Sequence, residues 1–119
     1  MPEVDTRRAA ENGDIETLKK ACSEPGFNIN ARISTGRALI HYAADKGQKE
    51  VLQFLIDNGA NVSEKDRHGI TPLLAAIFED HTSCVALLLA KGADKNEKAP
   101  TGDSAYDIAE NDEIKKLLE

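Results

Sequence analysis

The chain has 119 residues and a formal net charge of −6, with 15 basic and 21 acidic residues, a length that suits one domain. It contains neither a block of basic residues nor an apolar run of membrane-spanning length, so we expect no nucleic-acid partner and no membrane segment. The start of the chain lacks the apolar core of a secretory signal, and two cysteines do not form a disulfide framework. The composition therefore predicts a soluble, acidic, intracellular domain. We expect it in the cytoplasm, or in both cytoplasm and nucleus.

Residues 2–32 are expected to form a first unit of two short helices. Residues 9–13 (AAENG) correspond to residues 43–47 (AADKG), at a spacing one residue longer than that of the later units. Asp14 is a suitable N-cap for the second helix, because its carboxylate can accept the free amide hydrogens of the first turn. The extra residue lies near Pro25, in a loop where an insertion costs little. The polar helix surfaces suit an end unit that faces water on one side.

Residues 33–65 and 66–98 are predicted to be two complete copies of one unit. Glycines recur at a constant spacing, at positions 36, 69 and 102 and again at positions 26, 59 and 92. In the second complete copy, Thr71 and Pro72 open the first helix as N-cap and first helical residue. The first complete copy has Ala38 in place of the threonine and lacks the proline. Its first helix is therefore expected to begin less firmly.

Residues 99–119 are predicted to be a shortened fourth copy, whose last helix has lost about one turn. A period of about 33 residues, with a turn and two helices in each unit, is the signature of ankyrin repeats. The sequence thus predicts an all-α ankyrin-repeat solenoid of about four units in a single domain, residues 1–119. Two complete central repeats lie between capped ends. We expect such a stack to be a monomer.

Several segments match one family more closely than the general repeat requires. They are NGD (12–14), HYAADKGQ (41–48), ITPLLAAIFEDH (70–81), SCVALLLAKGADK (83–95) and the closing IKKLLE. Together they resemble the myotrophin family over nearly the whole chain. The resemblance implies an inhibitor that binds the basic actin-facing surface of the heterodimeric actin-capping protein and blocks it from filament barbed ends. It also implies a secondary association with Rel-type transcription factors.

The chain departs from that family just before its first alanine pair. Family members carry bulky apolar and aromatic residues there, which we count among the partner contacts, whereas this chain has Thr6, Arg7 and Arg8. An arginine facing a basic partner is unfavourable, so this change is expected to weaken or alter binding of capping protein. The alternative function is therefore an ankyrin scaffold, or a module that binds Rel-type transcription factors, without capping-protein activity.

Ankyrin arrays usually bind partners through a concave face formed by the loop tips and the exposed side of each first helix. The residues predicted to bind protein are Arg8, Arg37, Tyr42, Asp45, Asp66, His68, Phe78 and Glu79. In this prediction Tyr42 and Phe78 form an apolar centre, and Asp45 and Glu79 form an acidic rim suited to a basic partner. For the two aromatic residues, packing between repeats is an alternative of equal weight.

No motif in the sequence supports catalysis, since it has no phosphate-binding glycine loop, no HExxH and no nucleophile elbow. His41 occupies the position whose ring commonly hydrogen-bonds the loop backbone in ankyrin repeats. His68 and His81 fall in turns without a second ligand at helical spacing, which argues against a metal site. Cys84 is expected in the core. The sequence therefore predicts a protein-binding domain that is not an enzyme and has no cofactor.

Overall fold

The computed structural model describes residues 3–119, and within them the chain forms four pairs of helices. The first helix of each pair is α1 (Glu3–Asn12), α3 (Leu39–Asp45), α5 (Pro72–Phe78) or α7 (Ala105–Ile108). The second helix is α2 (Ile15–Cys22), α4 (Lys49–Asp57), α6 (Thr82–Ala90) or α8 (Asp112–Leu117). The pairs stack into an elongated body of 41 × 24 × 20 Å. The predicted all-α ankyrin architecture is confirmed.

The loops between the pairs repeat one backbone pattern. Ile33, Asp66 and Ala99 each donate their N–H to the carbonyl oxygen four residues later, at N···O distances of 2.9, 2.9 and 2.8 Å. Because these residues are one repeat apart in sequence, the same turn occurs at each junction. The backbone N–H of Arg67 donates to the carbonyl oxygen of Gly36 at 3.0 Å. Neighbouring loop tips therefore lie side by side.

The core is a strip shared between neighbouring pairs rather than a single central cluster. α3 packs against α1 and α5, and α6 packs against α4 and α8. Small side chains allow the first helices to approach closely, and Ala10, Ala43, Ala44 and Ala76 are fully buried. The second helices contribute larger apolar side chains such as Leu52, which is also fully buried. The alternation of small and large residues fills the space between layers at the density of a protein interior.

The first helices of the two central repeats begin by different devices. Thr71 caps α5 by accepting the N–H of Leu74 on its Oγ1 at 3.2 Å. Ala38 has no side-chain acceptor, but the Nδ1 of His41 accepts the Ala38 N–H at 3.1 Å, and its Nε2 donates to the carbonyl oxygen of Ile70 at 2.9 Å. Both helices have seven residues. The imidazole therefore accepts the N–H of Ala38 itself, whereas a threonine at position 38 would accept the N–H of His41, as Thr71 accepts that of Leu74.

The turn inside each central pair contains a residue with positive φ. Gly47 has a φ of 69°, and Asp80, at the equivalent position of the next pair, has a φ of 59°. Within residues 3–119, Asp80 is the only residue besides glycine with positive φ. The His81 ring lies against Gly47, because its Nε2 donates to the carbonyl oxygen of Asp45 at 2.9 Å. A Cβ added to Gly47 would lie 2.6 Å from the His81 Nδ1.

The fourth pair is shortened in both helices. α8 has six residues against nine in α6, so the predicted loss of about one turn is confirmed. α7 has only four residues against seven in α5, which the sequence pattern did not predict. Its end is extended, because Ala109 has φ −70° and ψ 127° and breaks the helix. Lys95 occupies an apolar position of the repeat, yet its Nζ donates to the carbonyl oxygen of Glu119 at 2.7 Å and so anchors this end.

Candidate protein-binding surface

The loop tips and the ends of the first helices form one continuous surface around Arg37. Its Nη2 lies 3.9 Å from Asp45 Oδ1 at the end of α3, and its Nε lies 3.8 Å from Asp66 Oδ2 in the next loop. The guanidinium carbon lies 4.9 Å from the centroid of the Tyr42 ring. These contacts tie two repeats together and leave the Arg37 side chain 23% exposed. Arg37 therefore positions its neighbours and partly neutralises two carboxylates of the predicted site.

Asp66 and Tyr42 are buried, which corrects the prediction that they form part of the exposed face. Asp66 is 6% exposed, and its Oδ1 accepts the N–H groups of His68 and Ile70 at 2.8 and 3.0 Å. Its first role is to hold the loop turn. Tyr42 is also 6% exposed, and its hydroxyl hydrogen-bonds the Thr35 hydroxyl. Of the two alternatives for Tyr42, the structure favours packing.

Phe78 is the exposed apolar residue of this surface. It is the last residue of α5 and is 51% exposed. Asp45 ends α3 at the equivalent position of the preceding pair and is partly exposed. Glu79 and Asp80 follow Phe78, are exposed, and make no ion pair within residues 3–119. The apolar centre is therefore Phe78 without Tyr42, and Asp80 adds a carboxylate that is absent from the set of predicted residues.

Arg8 lies on α1, the first helix of the first pair, which packs against α3. It is exposed on α1 and faces a shallow cavity of about 410 Å³ between α1 and α2. The cavity is lined by Asp5, Arg8, Ala9, Asn12, Asp14, Thr17 and Lys20. All of these residues belong to the first pair of helices and the turn between them. His68 lies in the turn between Asp66 and Ile70 and is exposed.

The remaining histidine and the cysteines have structural positions. Burial lowers the pKa of His41, which favours the neutral ring that accepts on Nδ1 and donates on Nε2. Burial raises the pKa of the Cys84 thiol to about 11, and it also raises the pKa of Cys22. Both thiols are therefore protonated and unreactive near neutral pH. In the part of the chain that the structure describes, no three His, Cys, Asp or Glu side chains are grouped so that they could hold a metal ion.

None of the helices in residues 3–119 is both long and apolar enough to cross a bilayer.

The candidate surface combines one exposed aromatic ring with three carboxylates, a loop histidine and a partly neutralising arginine. An exposed aromatic ring with carboxylates on the same surface is typical of protein-binding surfaces.

Comparison with known proteins gives both the repeat family and a relative of matching length. The ankyrin-repeat family matches residues 7–99 with three copies. Myotrophin of Xenopus tropicalis is 49% identical over 110 residues, which cover 92% of each chain. BCL-6 corepressor-like protein 1 of Homo sapiens is 29% identical over 112 residues, and serine/threonine-protein kinase 12 of Arabidopsis thaliana is 38% identical over 91 residues. The chain spans only 6% and 19% of those two larger proteins.

Proposed function

We propose, from the premise that this chain belongs to the myotrophin family of ankyrin-repeat proteins, that it is a protein-binding inhibitor of the heterodimeric actin-capping protein. In this proposal it occupies the basic actin-facing surface of that protein and sterically blocks capping of filament barbed ends. The observation that carries the proposal is the 49% identity to myotrophin over 92% of both chains. Myotrophin matches this chain over nearly the whole length of both, whereas the much longer relatives match it over only a small part of their own length.

The charge of the exposed surface supports a basic partner. Asp45 lies at the end of α3, and Glu79 and Asp80 directly follow Phe78 at the end of α5. An aromatic side chain that becomes buried can supply much of the binding energy, and these carboxylates would align a positively charged partner. The net charge of −6 adds long-range attraction, which increases the rate of association at low salt.

The position of Arg8 reduces the conflict that the sequence raised. Arg8 lies on α1 in the first repeat, whereas Phe78 lies on α5 in the third. The charge of Arg8 opposes binding only where the partner also covers α1. Inhibition is therefore expected to survive the exchange of the family's apolar residues for Arg7 and Arg8, with an affinity set mainly by the central repeats.

The direct test is elongation of actin filaments from barbed ends in the presence of purified capping protein. Addition of this chain at concentrations stoichiometric with capping protein is expected to restore growth. Failure to restore growth, by protein that far-UV circular dichroism shows to be helical, would overturn the proposal. That result would leave the alternative of an ankyrin scaffold, or of a module for Rel-type transcription factors. In the proposed role the chain acts as a monomer in the cytoplasm.

A further inference from the structure

The chain contains two copies of one loop junction, each built around a glutamate. In the Glu64 junction, Arg32 Nη2 lies 3.7 Å from Glu64 Oε2. Asn61 Nδ2 donates to the other oxygen, Glu64 Oε1, at 3.5 Å. Each carboxylate oxygen therefore has a cationic or amide donor close to it. The Arg32 side chain is 46% exposed, so its guanidinium reaches the glutamate from the solvent side.

The Glu97 junction lies one repeat further along and lacks both donors. Lys65 stands at the position of Arg32, and Asp94 stands at the position of Asn61. Lys65 makes no ion pair with Glu97 in the described part of the chain, and a carboxylate such as Asp94 has no hydrogen to donate. Both Glu97 oxygens are buried and have no hydrogen-bond partner among residues 3–119. The Glu97 junction therefore keeps the glutamate of the Glu64 junction but lacks the two donors that Arg32 and Asn61 supply there.

Electrostatics at the Glu97 junction agree with this geometry. Burial raises the pKa of Glu97, and the Asp94 carboxylate adds to the effect. The Thr71 hydroxyl and the Lys65 ammonium lower the pKa of Glu97, although the Thr71 hydroxyl does not meet the geometry of a hydrogen bond. The ionised carboxylate is thus poorly compensated in the free protein, and a donor that reached it would be favourable.

A cavity of about 340 Å³ adjoins this junction. It is lined by Ser63, Lys65, Thr71, Asp94, Glu97 and Lys98. Two carboxylates and two hydroxyls offer acceptors, while the two lysines balance the charge. A simple cation gains little from a neutral cavity. A ligand with several fixed donors gains more, because its geometry matches several acceptors at once.

We propose that the Glu97 junction is a binding subsite for the guanidinium group of an arginine side chain on a basic partner protein. The guanidinium would take the place relative to Glu97 that Arg32 takes relative to Glu64. Its planar set of five N–H donors can bind both carboxylate oxygens side by side and still donate to a hydroxyl, whereas an ammonium group has three donors and no planar fork. The identification of the partner as capping protein rests on the proposed function, whereas the subsite itself does not.

Titration with N-acetyl-arginine-N-methylamide tests the subsite, followed by NMR of the backbone amides and of the Glu97 side-chain carboxyl carbon. We expect saturable shifts confined to the Glu97 junction, with a dissociation constant on the order of 1–10 mM. The matching lysine compound at equal ionic strength is expected to shift these signals several-fold less. Equal shifts with the two compounds, or no saturable shift in the folded protein, would overturn the proposal.

Three variants sharpen this titration. Glu97→Gln is expected to abolish the saturable shifts. Glu64→Gln, the equivalent substitution one repeat earlier, is the matched control and is expected to keep them. Lys65→Arg places an internal guanidinium at the position of Arg32, so it is expected to fill the site and to reduce binding of the compound at least about fivefold. Lys65→Arg should also raise the free energy of unfolding, so a loss of binding in this variant would not be caused by unfolding. Unchanged binding in the Glu97→Gln variant would contradict the assignment.

The partner is tested separately by the barbed-end elongation assay. If capping protein supplies the arginine, Glu97→Gln and Lys65→Arg are expected to weaken inhibition several-fold, while Glu64→Gln leaves it near the wild-type value. Wild-type inhibition by the Glu97→Gln variant would remove capping protein as the source of the arginine. If the unmodified chain does not inhibit at all, the proposed function fails, and the NMR titration still decides whether the subsite exists.

Discussion

At the scale of the residue, Asp80 holds a backbone conformation that glycine adopts more easily. Its φ of 59° lies in the left-handed region, and Gly47 occupies the equivalent turn. We expect Asp80→Gly to raise the free energy of unfolding by roughly 0.5–1 kcal/mol, since the relief of strain exceeds the added freedom of the unfolded chain. Urea denaturation followed by circular dichroism measures it. The reverse change, Gly47→Ala, is expected to cost roughly 2 kcal/mol, because the new Cβ would meet the His81 ring.

Glu97 gives a pH dependence whose sign follows from its burial. Its pKa in the folded protein is raised, so the folded state binds this proton more tightly than the unfolded state. The contribution of Glu97 to stability is therefore complete below the unfolded value of 4.5 and is lost as the pH rises through the folded value. We expect Glu97→Gln to be more stable than the wild type at pH 7, and the difference to vanish near pH 4. A difference that grows toward acid pH would contradict this assignment.

At the scale of the element, the start of α3 depends on a side chain that is not a usual N-cap. His41→Leu removes the acceptor of the Ala38 N–H and the donor to the carbonyl oxygen of Ile70, both of which lie in or near the core. The loss is expected to be roughly 2 kcal/mol of unfolding free energy. Adding Ala38→Thr to that variant reproduces the cap of α5, where Thr71 precedes Leu74, and should recover roughly 1 kcal/mol. Urea denaturation of the single and double variants measures both values, and equal stability of the two would refute the capping argument.

At the scale of the whole molecule, the exposed charges near Phe78 decide how a basic partner is bound. Glu79→Lys is expected to weaken inhibition of capping protein at least about tenfold, because Glu79 is exposed and makes no ion pair in the described structure. Adding Asp45→Lys should weaken it further, in part because the new lysine would face Arg37. Barbed-end elongation at several salt concentrations measures these effects.

A matched control separates local charge from net charge. Glu50→Lys changes the total charge by the same amount, but Glu50 lies in the first turn of α4, on a second helix. Its inhibition is expected to stay within about twofold of the wild type. If Glu50→Lys and Glu79→Lys weaken inhibition equally, the partner senses only the net charge, and the surface around Phe78 is not the binding site.

The sequence by itself determined the fold, because each repeat is encoded by local chemistry. Glycines for turns, caps for helix starts and apolar stripes recur from one repeat to the next, and the Asp80 turn and the shortened α8 follow from this pattern. The shortening of α7 was not predictable in this way, since Ala109 has no sequence feature that forces an extended backbone. Because the repeats are regular, these local sequence signals are sufficient to predict the architecture.

Only the tertiary structure decided which side chains remain available to a partner. The sequence allows the same two roles for Tyr42 and Phe78, but Tyr42 packs beside Arg37 and Thr35 and is buried, whereas Phe78, at the end of α5, stays exposed. Likewise, the missing donors of Glu97 become visible only when its junction is compared with that of Glu64. The physical reason is that a repeat pattern fixes the backbone position of a residue, while its exposure depends on contacts with neighbouring loops and helices.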